Sequence, residues 1–459
     1  MDCQNREKIK NKVLFSVTCA LFVLLMALTI ALIVNFSSGN KSNAGDFDIG
    51  MIISDETEYK DISDMLVPEF VGLTAGGQRS GIALSPNVIK DIFRTVSPTV
   101  SYILYNGETT EYSDGEWEKL TELDDSVYVR FHSQLPESVV LEFCDIMNGT
   151  EREYTEKTSY IYEMFIIPYS EERDAVTLAL RAVNGDTKIY KVNKPEKYLT
   201  SSEISVLAQS YAASLTSFTF AFDEYESLSY TEPIFANGIQ TKNIIISNRT
   251  ASFAYNSLHG TDDVLEVFGM NPDKVRSSPS EDDSSIGYID SNGAFYIKDS
   301  EFEYKAASGG GINISEFVGY VADDPCGYFD YIRSAATLLL RLKELDKNYV
   351  GADADFIVSS VSSDDGRVTV EFVYCCDNIV MTDIAPALRA VYSDGMMREA
   401  TVYTVAVRAR NDRNESSSEA GFASYISQKK IAAYNVCLKY RADFVAESIK
   451  AEWVAESAY

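Results

Sequence analysis

Residues 288–311 read YIDSNGAFYIKDSEFEYKAASGGG, and Asp290, Asn292, Asp299, Glu301 and Glu303 crowd there as if around a cation. An EF-hand loop needs oxygen ligands at positions 1, 3 and 5, glycine at 6 and a bidentate Glu at 12. With Gly293 at position 6, position 1 is Tyr288 and position 12 is the shorter Asp299. The first ligand is missing. Phe302, Tyr304 and Ala306 instead alternate with Glu301, Glu303 and Lys305, the period of two of a half-buried strand. Ser291-Asn292-Gly293 predicts a hairpin turn in which Asn-Gly supplies positive φ angles. The stretch is read as antiparallel β structure with its carboxylates on the wet face.

The same pattern extends along the chain. Strands are expected at 126–132, 159–168, 175–183, 187–192, 218–222, 243–247, 355–361, 367–376, 387–392 and 396–408. A closing hairpin is expected from Cys437–Phe444 and Ser448–Glu456. Asp-Asp-Gly366 and Ser-Asp-Gly395 mark tight turns. Helices are expected at 87–97, capped by Ser85 ahead of Pro86, and from Pro136 to Met147. Others run from the Ser113–Glu116 and Thr200–Glu203 capping boxes (the latter to Leu215), from Thr261 to Phe268, over Tyr328–Leu345 and over 419–434. The fold class is α+β, with mainly antiparallel sheets and flanking helices. The expected organisation is a tail (1–12), an apolar span (13–36), and ectodomain blocks at 37–157, 158–323 and 324–459.

Val13–Phe36 is 24 residues without a charge, about 36 Å as a helix and enough to cross a bilayer. Arg6, Lys8, Lys10 and Lys12 precede it, so the positive-inside rule puts the N-terminus in the cytoplasm and the rest outside. A signal peptide is the rival reading, but its apolar core should be about 7–15 residues. Beyond the span, 36 basic and 67 acidic residues remain, a net of −31 that argues against nucleic acid and anionic lipid surfaces. Of seven cysteines, Cys144, Cys326, Cys375, Cys376 and Cys437 lie past the span, an odd set that suits small buried apolar residues better than a disulfide framework. Cys375 and Cys376 should point to opposite faces of one strand.

No stretch carries a recognisable catalytic pattern. His132 and His259 are the only histidines, with no HExxH or CxxC, and a structural or surface role is expected for both. Ala75–Gly81 (AGGQRSG) lacks the Lys-Ser/Thr of a P-loop and is read as a surface turn between strand and helix. Glycan subsites want exposed aromatic platforms, and only Trp117 and Trp453 offer indole rings. The reading is therefore of a non-enzyme with no cofactor and no metal.

Asp263–Asn271 (DVLEVFGMN), Ile286–Asp290 and Gly293–Tyr304 together resemble the late-middle segment of YycH-type proteins. Pro86–Leu135, with Glu116-Trp117, VYVRF at Val127–Phe131 and LPES from Leu135, resembles an earlier part of the same family, and Cys437–Tyr440 with Ala451–Trp453 resembles its closing hairpin. The resemblance covers nearly the whole chain, through diffuse patterns. It implies a Gram-positive accessory protein of the YycH/YycI (WalH/WalI) kind, single-pass in the cell membrane, that regulates a WalK-type sensor histidine kinase controlling the cell wall. A sister YycH/YycI-type protein is a further implied partner. Within the span, Ala20, Ala27 and Ala31 are small enough to let a partner helix approach. The alternative is an envelope-anchored ectodomain that binds glycan or peptide.

Overall fold

Alternation along the strands builds two large sheets. The computed structural model describes residues 62–459 except 111–115, 151–158, 194, 196–197, 222–232, 236, 249–259, 280–284, 299, 319–326, 346–350, 416–417, 430–434 and 457–459. The apolar run 13–36, with Ala20, Ala27 and Ala31, lies outside the described residues, as do His259, Cys326 and the Ser113 cap. Among the described residues no helix is long and apolar enough to cross a membrane.

The first sheet holds β1 Phe70–Ala75, β2 Gln78–Ile82, β3 Glu108–Thr110, β4 Ser126–Pro136, β5 Tyr160–Ser170, β6 Ala175–Arg181, β7 Thr187–Asn193, β8 Thr216–Phe220 and β9 Pro233–Phe235. Their order is β3-β7-β6-β5-β4-β1-β2-β8-β9, antiparallel throughout. Val71, Leu73, Val127, Val129, Met164 and Ile166 face the main core, against α1 Pro86–Asn106 and α3 Glu137–Met147. The alternate positions Phe70, Tyr128 and Phe165 face a separate aromatic layer with Phe218, Phe220, Phe235 and Trp117, the last on α2 Glu116–Leu120. Period two thus sorts one sheet into two hydrophobic faces. The layer is tight: a Cβ on Gly81 would sit 2.4 Å from the Phe70 ring.

The remaining elements run, after α4 Ser201–Ser210, as β10 Gln240–Asn248, α5 Gly260–Val267, β11 Arg276–Pro279, β12 Ile286–Ile289, β13 Gly293–Ile297, β14 Glu301–Ala306, β15 Ile312–Asn313, α6 Ser315–Val318 and α7 Tyr328–Leu345. Then come β16 Gly351–Ala352, β17 Asp355–Asp364, β18 Arg367–Cys376, β19 Ile379–Thr382, β20 Leu388–Ser393, β21 Met396–Tyr403, β22 Val405–Glu415, α8 Glu419–Lys429, β23 Asn435–Arg441 and β24 Ala451–Glu456. A twelve-stranded sheet has the order β11-β12-β13-β14-β21-β20-β18-β19-β23-β24, with β15 on β21 and β17 on β18. A small sheet has the order β10-β22-β16. Only β16–β22 and β19–β23 pair in parallel among these strands. One core of apolar side chains runs from Ile62 to Trp453, and the first sheet draws strands from both sides of residue 157.

The α+β class with mainly antiparallel sheets and flanking helices holds, and several local expectations are corrected. α1 continues through Pro98 to Asn106. Proline removes the N–H that the Arg94 carbonyl would accept, and the Ser97 hydroxyl donates to that carbonyl instead, at 3.1 Å. Ser85 adopts a left-handed φ of 76° and makes no side-chain cap. Gly76 and Gly77, at φ 55° and 77°, turn β1 into β2 rather than into a helix. The Thr200–Glu203 box forms, but α4 ends at Ser210 because residues 211–215 fold into tight turns. The expected strand 396–408 breaks at buried Thr404, whose backbone N–H and hydroxyl both donate to the Ser300 carbonyl. β21 and β22 on either side of it belong to different sheets.

Candidate functional site

The opening stretch forms β12, β13 and β14, and its charges are occupied within it. Asn292 and Gly293 do not take positive φ; instead Asp290 Oδ1 accepts the backbone N–H of both, at 2.7 and 3.0 Å. The turn is an Asx cap, not an Asn-Gly I′ turn. Gly293 is needed for space, since a Cβ there would meet the Lys305 carbonyl at 2.5 Å. Lys298 reaches Glu301 at 2.7 Å and Glu303 at 2.6 Å, and Lys305 also meets Glu303. Asp299 lies outside the described residues.

A second concentration of charge lies where the two large sheets meet. β4 leaves register with β5 between Arg130 and Leu135, so residues 131–134 bulge out of the ladder. Bulges re-aim side chains. Here Ser133 Oγ donates to the Val358 carbonyl of β17 at 3.1 Å, beside a bulge in β17 itself. His132 Nε2 lies 2.9 Å from Asn378 Oδ1. Asp377 and Asn378, at φ 50° and 68°, form the two-residue turn between β18 and β19. The buried Asn378 amide also donates to the carbonyls of Pro68, Glu69 and Ala83, at 2.9 to 3.2 Å. One side chain of the second sheet therefore holds three backbone groups at the edges of β1 and β2.

Arg130 Nε donates to Glu69 Oε2 at 3.1 Å, both side chains being nearly buried, and Lys439 of β23 is buried close by. Burial pushes the Glu69 carboxyl up, but Arg130, with His132 and Lys439 also near, holds it below the usual carboxylate range. Burial pushes the His132 imidazole down. Beside the pair is a cavity of about 20 Å³ lined by Glu69, Arg130, Phe235, Asn378, Glu419 and Trp453, among others. That volume holds about one water.

The five buried carboxylates described in the chain all have structural partners. Glu69 pairs with Arg130; Glu137 accepts from Tyr190, Ser159 and Lys188; Asp145 accepts from Ser101 and Tyr105. Glu163 accepts from Tyr128 and Arg181, and Glu419 accepts the Phe235 backbone N–H. Trp117 and Trp453 are both buried, so neither presents an exposed platform. Cys144, Cys375, Cys376 and Cys437 are buried, and Cys375 and Cys376 fall in different apolar clusters, as opposite strand faces require. Burial pushes the Cys144 and Cys375 thiols well above the ordinary range.

Sequence reasoning left His132 between a surface and a structural role, and missed Glu69, Arg130, Asn378 and Lys439. A signal existed for one of them. Asp377-Asn378 between two apolar runs is a I′ turn pair, like Asp365-Gly366 and Asp394-Gly395, which do take that form. Comparison of the chain with protein-family models, curated proteins and solved structures finds no match.

Proposed function

We propose that the chain is a single-pass membrane-anchored ectodomain that regulates a cell-wall sensor histidine kinase by direct contact, alone or beside a sister protein of YycH/YycI type. The observation that carries the reading is a conjunction. An uncharged 24-residue run with a basic N-terminal flank precedes a large body in which the five buried carboxylates among the described residues are all engaged in holding the fold. Acidic groups so used are unsuited to proton transfer, whereas an anchored body of this size suits touch. In this reading residues 1–12 are cytoplasmic and the described body is extracellular. The span contributes contacts through Ala20, Ala27 and Ala31.

The test replaces residues 13–36 with an unrelated apolar helix of equal length and separately changes Ala20, Ala27 and Ala31 to Leu. Membrane localisation should persist, while transcription from the kinase's cell-wall regulon should shift in both. Unaltered output with either variant, and also on deleting the whole gene, would overturn contact regulation.

A further inference from the structure

The bulge in β4 gives the two large sheets a contact through His132. Asn378 fixes its polarity. The Nδ2 position lies within hydrogen-bond distance of three carbonyl oxygens, which only accept, so that atom is the amide nitrogen and the other is the oxygen. The oxygen only accepts as well. His132 Nε2, 2.9 Å from it, must therefore carry the hydrogen. In the neutral ring Nδ1 is then a lone pair, and this buried atom has no hydrogen-bond partner among the described residues. The small cavity at His132 is walled chiefly by apolar side chains, among them Met65, Leu66, Val67, Leu135 and Ile357.

We propose that the His132–Asn378 contact is a pH-operated latch between the nine-stranded and twelve-stranded sheets, closed when the imidazole is neutral and loosened when it gains a second proton. That proton would sit on Nδ1, a buried atom with no acceptor among the described residues, and the ring must move to solvate it. The groups facing it come from four places. Glu69, ahead of β1, attracts an imidazolium, and the Asn378 hydrogen bond from the β18–β19 turn favours it. Lys439 of β23 and Arg130 of β4 itself oppose it. Burial is the largest influence, and the imidazole stays below its ordinary value. The sign follows. A group whose folded pKa is depressed stabilises the fold above its unfolded value, about 6.5 for histidine, and that stability drains away as pH falls toward the folded value. Because Ser133 is bonded to the Val358 carbonyl, displacement of the bulge also releases β17.

The chain has only two histidines, which makes the test clean. Histidine labelled with ¹³C at Cε1 is incorporated into the full chain in detergent micelles and followed by NMR from about pH 8 to about pH 5. H259Q assigns the two resonances. His132 should titrate below the ordinary histidine value. Amide exchange in β17 and residues 377–380, corrected for intrinsic pH dependence, should be roughly fivefold or more faster at the acid end. H132Q, whose amide can still donate to Asn378 but takes up no proton, should lose that acid acceleration. Titration of His132 at or above its ordinary value, or equal junction protection at both pH extremes, would overturn the latch. Both wild-type readouts decide the question even if H132Q folds poorly.

Discussion

The β12–β14 stretch and the β4–β18/β19 junction each gather opposite charges, yet they do so in different surroundings. In the hairpins, Lys298 is 38% exposed and bonds Glu301 and Glu303 at the surface. At the junction, Arg130 and Glu69 are 6% and 11% exposed and bond each other inside. Coulomb attraction is screened at the first site and desolvation is steep at the second. Charge that stands out in the sequence is therefore the weaker charge energetically. The junction draws its members from distant parts of the chain, none in a conspicuous run.

Substitutions can break that contrast. Arg130→Ala leaves the Glu69 carboxylate buried and unpaired, and should cost about 3–5 kcal/mol in urea unfolding. Asn378→Ala removes donors to three backbone carbonyls and puts alanine at a φ of 68°, for about 2–3 kcal/mol.

A further charged group, Glu142 of α3, which feels Asp330 and Arg333 of α7, sharpens the comparison through pH. Burial, with Asp330 nearby, pushes the half-buried Glu142 carboxyl up to about 8, against the pull of Arg333. A raised carboxyl stabilises the fold below its unfolded value of 4.5, and that stability is lost as pH rises through about 8. Discounted for partial exposure, the loss between pH 5 and pH 8 is on the order of 2 kcal/mol. Glu142→Gln should flatten this slope in stability measured against pH. The dependence runs opposite to that of His132, so the two variants separate them.

The hairpin substitutions should be the mildest. Asp290→Ala loses the Asx cap and should cost about 1 kcal/mol. Lys298→Ala should cost no more than about 0.5 kcal/mol, and less in high salt.

Legibility follows the range of the forces involved. α7 was readable to the residue, because an 18-residue amphipathic pattern from Tyr328 to Leu345 is a local signal. The Asp-Gly turns were readable for the same reason: two residues carry the needed φ angles. The helix expected to end at 97 runs on through Pro98, because the buried Ser97 hydroxyl satisfies the Arg94 carbonyl that proline leaves without a donor, a substitution no periodic pattern reports. Thr404 looked like the middle of one strand because the sequence does not say which sheet each half joins. The junction was the least visible. His132 and Asn378 stand 246 positions apart, and a bulge, invisible to a period-two pattern, is what aims one at the other.

The central claim is that the ion pair buried at the junction, not the acidic hairpin surface, carries the energetically important charge. A double-mutant cycle tests it most directly. Urea unfolding of E69Q, R130M and the double variant is set against K298M, E303Q and their double. The coupling energy at the junction should be about 2 kcal/mol or more, and that in the hairpin below about 0.5 kcal/mol. Equal coupling at the two sites, or near zero between Glu69 and Arg130, would contradict it.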